Sequence, residues 1–220
     1  MSNLDNGWEG LTTERLVELA GGNREESLKS LESRIEKLYE LSYTSTLFKT
    51  DIVADFGSGF GFGAKSLAKS AKKVYCFDVS KSFLDKCTEN TAEIDNISCL
   101  HIKRNDISEM YDKGINKIVS NSVFCHFNIS EIAYYLKEFY ELLPTAGQVI
   151  FSFRDADILN INDNLFKEHQ KLTMNNREFI SRSISYVSRS TLVDVCEQIG
   201  YKTYIDEGDQ EYKTVVLVKV

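Results

Sequence analysis

The sequence predicts an α/β fold: a doubly wound, seven-stranded, mostly parallel sheet with an antiparallel C-terminal hairpin and an N-terminal helical cap. Three observations carry this. Short β-rich runs alternate with helical patterns from Ile52 to Phe153. A glycine-rich turn, Gly57-Ser58-Gly59-Phe60-Gly61, joins the first of these runs to a helix-forming stretch. After the last helical pattern, the runs Tyr201–Ile205 and Tyr212–Val218 are separated only by the turn Asp206-Glu207-Gly208-Asp209, which imposes antiparallel pairing.

Composition narrows the class. At 220 residues the chain is expected to form a single domain with a sizeable core. A net charge of −7 argues against a non-specific nucleic-acid binder, which needs a basic face. No apolar run approaches the roughly 18 residues of a membrane span and no signal-like segment opens the chain, so a cytoplasmic location without membrane association is expected. Cys76, Cys87, Cys99, Cys125 and Cys196 are odd in number and form no C-x-x-C pair. They read as reduced, mostly buried thiols, and no metal is expected.

In chain order, residues 1–48 are the cap. Thr13 caps a short helix carrying Leu16, Val17 and Leu19, which Gly21-Gly22 ends. Asn23 opens a longer helix whose buried stripe is Leu28, Leu31, Ile35, Leu38 and Leu41. Residues 49–155 form the binding core. Ile52 to Ala54 make its first strand, with Asp55 at the end, and Ala64 to Ser70 the helix after the glycines. Lys73 to Asp78 is the second strand, and Ser80 starts a helix with Phe83, Leu84 and Cys87 inward. Ile97–His101 and Lys117–Ser120 are the third and fourth strands. Ser130 caps a helix carrying Ile132, Leu136, Phe139 and Leu143, stopped at Pro144 and Gly147, and Gln148–Phe153 is the fifth strand. Residues 156–190 are an insert, and 191–220 hold the last helix, Thr191 to Ile199, and the hairpin.

The glycine turn is where chemistry enters. Strand, glycine turn and helix present backbone N–H groups to a ligand lying across the strand ends. Gly59, Gly61 and Ala64 satisfy the G-x-G-x-x-A form of a dinucleotide site. A carboxylate at Asp55, two residues before the first glycine, would repel a pyrophosphate and suits an amine-bearing ligand. Asp78 closes the second strand about 20 residues on, the offset of a carboxylate that takes both ribose hydroxyls. Asp55-Phe56-Gly57-Ser58-Gly59-Phe60-Gly61 resembles the first motif of the class I S-adenosylmethionine-dependent methyltransferases, and the C-terminal hairpin matches the same fold. The resemblance covers residues 50 to 220, with the first motif and the hairpin most specific.

That resemblance implies S-adenosyl-L-methionine as cofactor and S-adenosyl-L-homocysteine as product. Gly57, Ser58, Gly59 and Gly61 would give backbone passage, Asp55 would face the amino-acid end, and Asp78, with Val79 and Phe83, the ribose side. Asp106 would meet the adenine amine beside Asn105, with Ile107 against the ring, although an Asx-turn is an equally ordinary role for Asp106. Asn121 and Ser122 lie where the chain approaches the methyl group. The Asn-Pro-Pro-Tyr of methyltransferases acting on adenine or glutamine amides is replaced by Ser120-Asn121-Ser122-Val123, which turns the reading towards the small-molecule branch.

His126 is the candidate general base, since a group with an unperturbed pKa near 6.5 can accept an acceptor proton; shaping the pocket is its alternative role. Tyr39 and Tyr43 are lid candidates, Tyr43 towards the acceptor. Lys167, Lys171, Arg177, Arg182 and Arg189, with Arg154 at a strand end, suggest a basic surface for an anionic small molecule. The function expected is methyl transfer to an oxygen or nitrogen of a small metabolite (phosphorylated, nucleotide-sugar or carboxylate), with no nucleic-acid partner, by a monomer or homodimer. An RNA or protein methyltransferase, an NAD(P)-dependent oxidoreductase and a cofactor-binding scaffold without activity remain alternatives.

Overall fold

The computed structural model describes Val17 and residues 27–158, 185–206 and 212–220. These fall into two compact units, one within Trp8–Glu109 and one within Met110–Val220. Their strands belong to one seven-stranded mixed sheet.

In the first unit, α1 (Leu28–Ser42) begins after Ser27, whose side chain accepts from the Ser30 N–H. Asn23, the expected start, lies outside the described residues. The buried stripe also differs from expectation. Leu31 and Tyr39 are buried, whereas Leu38 is 41% and Leu41 73% exposed. The stripe therefore advances in steps of four through Leu31, Ile35 and Tyr39, rather than through the leucines. Leu31 packs with Val17 and Phe62, joined by Leu28, Ile35 and Phe60; the rest of the first predicted helix lies outside the described residues. Strand β1 (Ile52–Phe56) runs one residue beyond Asp55, and α2 (Phe62–Ala68) starts two residues before Ala64. Strands β2 (Lys73–Asp78) and β3 (Ile97–His101) lie parallel in the order β3-β2-β1. Between them, α3 (Lys81–Thr91) is capped by Ser80, which accepts from the Phe83 N–H.

The second unit pairs β4 (Lys117–Ser120) parallel with β5 (Gln148–Arg154). Strand β7 (Tyr212–Lys219) runs antiparallel to both β5 and β6 (Tyr201–Ile205), as the terminal hairpin requires. Its turn residues 207–211 lie outside the described part. Helix α4 (Ile129–Leu142) is capped by Asn128, not Ser130: Asn128 accepts from the Ser130 and Glu131 N–H groups while Glu131 accepts from the Asn128 N–H. The Glu at the third helical position is what selects Asn128. Helix α5 (Arg189–Ile199) ends on Gly200 at φ 117°, close against the Tyr140 ring, where any Cβ would collide. Among the described residues no helix is long and apolar enough to cross a membrane.

Candidate cofactor and acceptor sites

The glycine turn leaves β1 with Gly57, Gly59 and Gly61 all at positive φ. Four of its N–H groups are already used: Gly57 and Ser58 both donate to the Phe77 carbonyl of β2, at 2.7 and 3.1 Å, Gly61 donates to the Ser58 carbonyl at 2.9 Å, and Gly59 donates to Asp78. Gly61 requires glycine twice over: its φ is +79°, and a Cβ would lie 2.6 Å from Cys87 Sγ. Gly59 differs, since a Cβ there would point into open space.

Asp78 organises the turn. One carboxylate oxygen accepts from the Gly59 N–H and the other from the Ser80 N–H, each at 2.9 Å. It thus ties the turn to the start of α3 and is 93% buried, at 7% exposure. Val79 is half-buried, and Phe83 packs edge-on to Phe60 with centroids 5.2 Å apart. Beyond β3, Asn105 stands at φ 58° and Asp106 accepts from the Ser108 N–H at 3.0 Å, the Asx-turn geometry weighed above. Hydrogen bonds from the Ser108 side chain and, second, its N–H hold the Asp106 carboxyl below its ordinary pKa. Asn105 and Asp106 are exposed, and Ile107 is buried beside them. The first unit therefore gathers Asp55, the glycines, Asp78, Val79, Phe83 and the Asn105–Ile107 turn at the ends of β1, β2 and β3.

Asp55 is fully inside, at 1% exposure. Its Oδ1 accepts from the Tyr39 hydroxyl at 3.2 Å, and its Oδ2 is buried with no hydrogen-bond partner. Burial raises its pKa to about 7, the Tyr39 hydrogen bond opposes this, and nearby Asp78 adds to it. Tyr39 in turn lies over Gly63, where a Cβ would sit 2.2 Å from the ring. Tyr43 is 1% exposed with its ring 4.9 Å from that of Tyr39. Both tyrosines are thus packed inside the unit. Tyr39 was legible as a residue at the end of the cap helix, but its bond to a carboxylate 16 residues on had no local signal.

In the second unit, the chain after β4 turns through Ser122 at φ 59°, whose N–H donates to Ser152 Oγ; Ser152 donates to Asn121 Oδ1. His126 ends a single turn, half-buried, between Phe124 and Phe127. Phe124 stacks on Phe151 of β5 at 4.3 Å and anchors the turn. Arg154 donates to the Tyr186 hydroxyl at 3.0 Å and lies over the Tyr212 ring at 4.6 Å. Tyr212 reaches Cys125 Sγ at 3.8 Å, next to His126 in the chain. Arg189 departs from the expected basic surface. Its guanidinium pairs with the fully buried Asp155 at 2.9 Å and supports the fold. Arg177, Lys167, Lys171 and Arg182 lie outside the described residues.

One residue was missed. Lys213 is 1% exposed, and its Nζ has no hydrogen-bond partner. It pairs in register with Phe153, so it shares the sheet face of Val215 and Leu217, opposite that of Arg154 and Tyr212. A charged residue in the inward series of an alternating strand was the available signal. Three thiols that sequence spacing kept apart, Cys76, Cys87 and Cys99, also converge in the first unit.

Residues 53–147 match a family model described as a methyltransferase domain. Over 78 residues, 36% of the chain, the sequence is 33% identical to the protein described as probable ribosomal RNA small subunit methyltransferase A of Pyrococcus furiosus. The match spans about a quarter of that relative's length, 27%. Among solved structures, magnesium protoporphyrin IX methyltransferase from Synechocystis PCC 6803, bound to S-adenosylhomocysteine, superimposes with a TM-score of 0.64 at 11% identity, over 91% of both chains. A SAM-dependent methyltransferase from Aquifex aeolicus gives 0.59 at 18% identity, over 86% of this chain and 98% of its own. At such identities the likeness is one of fold. Residues 53–147 thus match a methyltransferase domain, and the seven-stranded sheet with its antiparallel hairpin is the fold shared with these solved methyltransferases.

Proposed function

We propose that the protein transfers a methyl group from S-adenosylmethionine to an oxygen or nitrogen of a small anionic metabolite. The donor fits the first unit. Asp55 Oδ2, buried and without a partner, would hold the ammonium of the amino-acid end, Asp78 the ribose, and Asn105, Asp106 and Ile107 the adenine. The open space beyond Gly59 leaves room for the ligand to cross the turn. When bound, the cofactor supplies a methyl carbon already activated by its sulfonium. Asp55 and Asp78 then act by position, fixing the donor so that the acceptor meets it in line. His126, half-buried on its anchored turn, would take the acceptor proton.

The observation that carries the anionic acceptor is Lys213. A buried lysine head group costs several kcal/mol unless an acceptor meets it, and Nζ of Lys213 has no hydrogen-bond partner. A second reading, methylation of RNA, is favoured by the Pyrococcus furiosus relative, and opposed by the net charge of −7 and the missing Asn-Pro-Pro-Tyr. Label transfer from S-adenosylmethionine to panels of phosphorylated, nucleotide-sugar and carboxylate metabolites, and to ribosomal RNA, separates the two. Turnover of an anionic metabolite whose KM rises at least tenfold in Lys213→Met supports the proposal. Label in RNA alone overturns it.

A further inference from the structure

Cys76 and Cys99 are register partners on the neighbouring parallel strands β2 and β3, so their side chains leave the sheet on the same side. Cys87 comes down on them from α3. The three Sγ atoms lie within 4.8 Å of one another, with Cys87 and Cys99 3.2 Å apart. All three are free thiols; Cys76 and Cys87 are buried, while Cys99 is partly exposed and gives the cluster a way in from solvent. Neither the cofactor residues nor the acceptor residues make use of them.

We propose that Cys76, Cys87 and Cys99 form a three-thiolate site for a soft divalent metal ion of the zinc and cadmium kind. Thiolate sulfurs bind such an ion at about 2.3 Å, which sets them roughly 3.8–4.0 Å apart around it. The 4.8 Å limit on the three sulfurs accommodates that separation, and the Cys87–Cys99 pair would open by less than about 1 Å. Soft sulfur ligands without imidazole or carboxylate select closed-shell thiophilic ions over magnesium or calcium. A divalent ion leaves one net negative charge on the trio, whereas a monovalent ion would leave two in an interior that already holds the Asp55 carboxyl. Thr91 Oγ1 lies 4.0 Å from Cys99 Sγ and donates to the Cys87 carbonyl at 2.7 Å, bordering the trio with a hydroxyl.

The exchange balances without a redox partner. Three S–H bonds break, three metal–sulfur bonds form, three protons pass to water, and no electron moves. Affinity therefore rises with pH. The site also touches the cofactor turn, since Cys87 Sγ occupies the space a Cβ on Gly61 would need. An ion that moves Cys87 away from Cys99 shifts the wall behind that glycine.

The test is a titration of the reduced, full-length protein with cadmium(II) in competition with a chromophoric chelator. It is read by thiolate-to-metal absorption in the ultraviolet and by native mass spectrometry. The expected result is one ion per chain, retained against the chelator, with the absorption of three thiolates and release of protons. Cys99→Ser, at the exposed edge of the trio, should surrender the ion, and Cys196→Ser should keep it. A folded wild type that yields cadmium to the chelator overturns the site without recourse to any variant. So does a Cys99→Ser protein that retains the ion with unchanged absorption.

Discussion

Replacing Asp55 by Asn should stabilise the protein above neutral pH while weakening its hold on the cofactor. The buried carboxyl has a pKa of about 7 against 3.8 for the free side chain, chiefly because burial disfavours its charge. A folded-state pKa raised in this way gives stability that is fully present below about pH 4 and is lost as pH rises through 7. The difference corresponds to on the order of 4 kcal/mol. Asn keeps the oxygen that accepts from Tyr39 but places an amide donor where Oδ2 has no partner, at a cost of about 1–3 kcal/mol. A net gain of about 1–3 kcal/mol at pH 8 remains. For a chain of this size that is about 2–4 °C in melting temperature per kcal/mol. The gain should vanish at pH 5, where the wild-type carboxyl is protonated. Loss of a charge-assisted bond to the cofactor ammonium should weaken S-adenosylmethionine about 10- to 100-fold. Calorimetric melts of both proteins between pH 5 and 8, beside cofactor titrations, measure each part. A variant that melts below wild type at pH 8, with the same pH dependence, would show that Asp55 is satisfied as an anion and refute the reasoning.

Other outcomes follow from the same geometry. In wild type, S-adenosylmethionine affinity should fall up to tenfold per pH unit below about 7 as the Asp55 carboxyl takes up its proton, and Asp55→Asn should flatten that dependence in binding titrations. Gly63→Ala drives a methyl into the Tyr39 ring and should cost about 1–3 kcal/mol by overpacking, seen in denaturant melts. Arg189→Leu leaves the buried Asp155 carboxylate without its cation and should cost about 2–3 kcal/mol, the usual cost of such a break discounted because Arg189 is more than a third exposed.

Strand positions were legible because each strand is a short β-rich run bounded by acids, glycines or helix caps, and the observed limits of β2, β3, β4 and β6 match those runs. The cap helix was misphased for a physical reason. Leucines and tyrosines both count as apolar in a periodicity argument, and only tertiary context turns Tyr39 inward, where its hydroxyl meets Asp55. The N-cap was placed two residues late because Ser130 and Asn128 are both good caps, and the decisive Glu131 was not weighed. Asp55 and Asp78 stand beside the glycine turn, where the strand ends implied by the sequence put them. That Asp78 also fastens the turn through Gly59 was not visible, since the bond exists only once β1 and β2 are side by side. The thiol trio was hidden likewise, because Cys76 and Cys99 meet only through strand register.

The central claim, that the glycine turn between Asp55 and Asp78 is an S-adenosylmethionine site, is tested most directly by calorimetric titration. Wild type and Gly59→Asn would each be titrated with S-adenosylmethionine, S-adenosylhomocysteine and NADH. Asn tolerates positive φ better than other side chains, and at Gly59 its side chain would enter the open space assigned to the ligand. The expected result is tight wild-type binding of both sulfur nucleosides, none of NADH, and at least a tenfold loss in the variant. Binding of NADH alone, or of no ligand by a folded wild type, would contradict the claim.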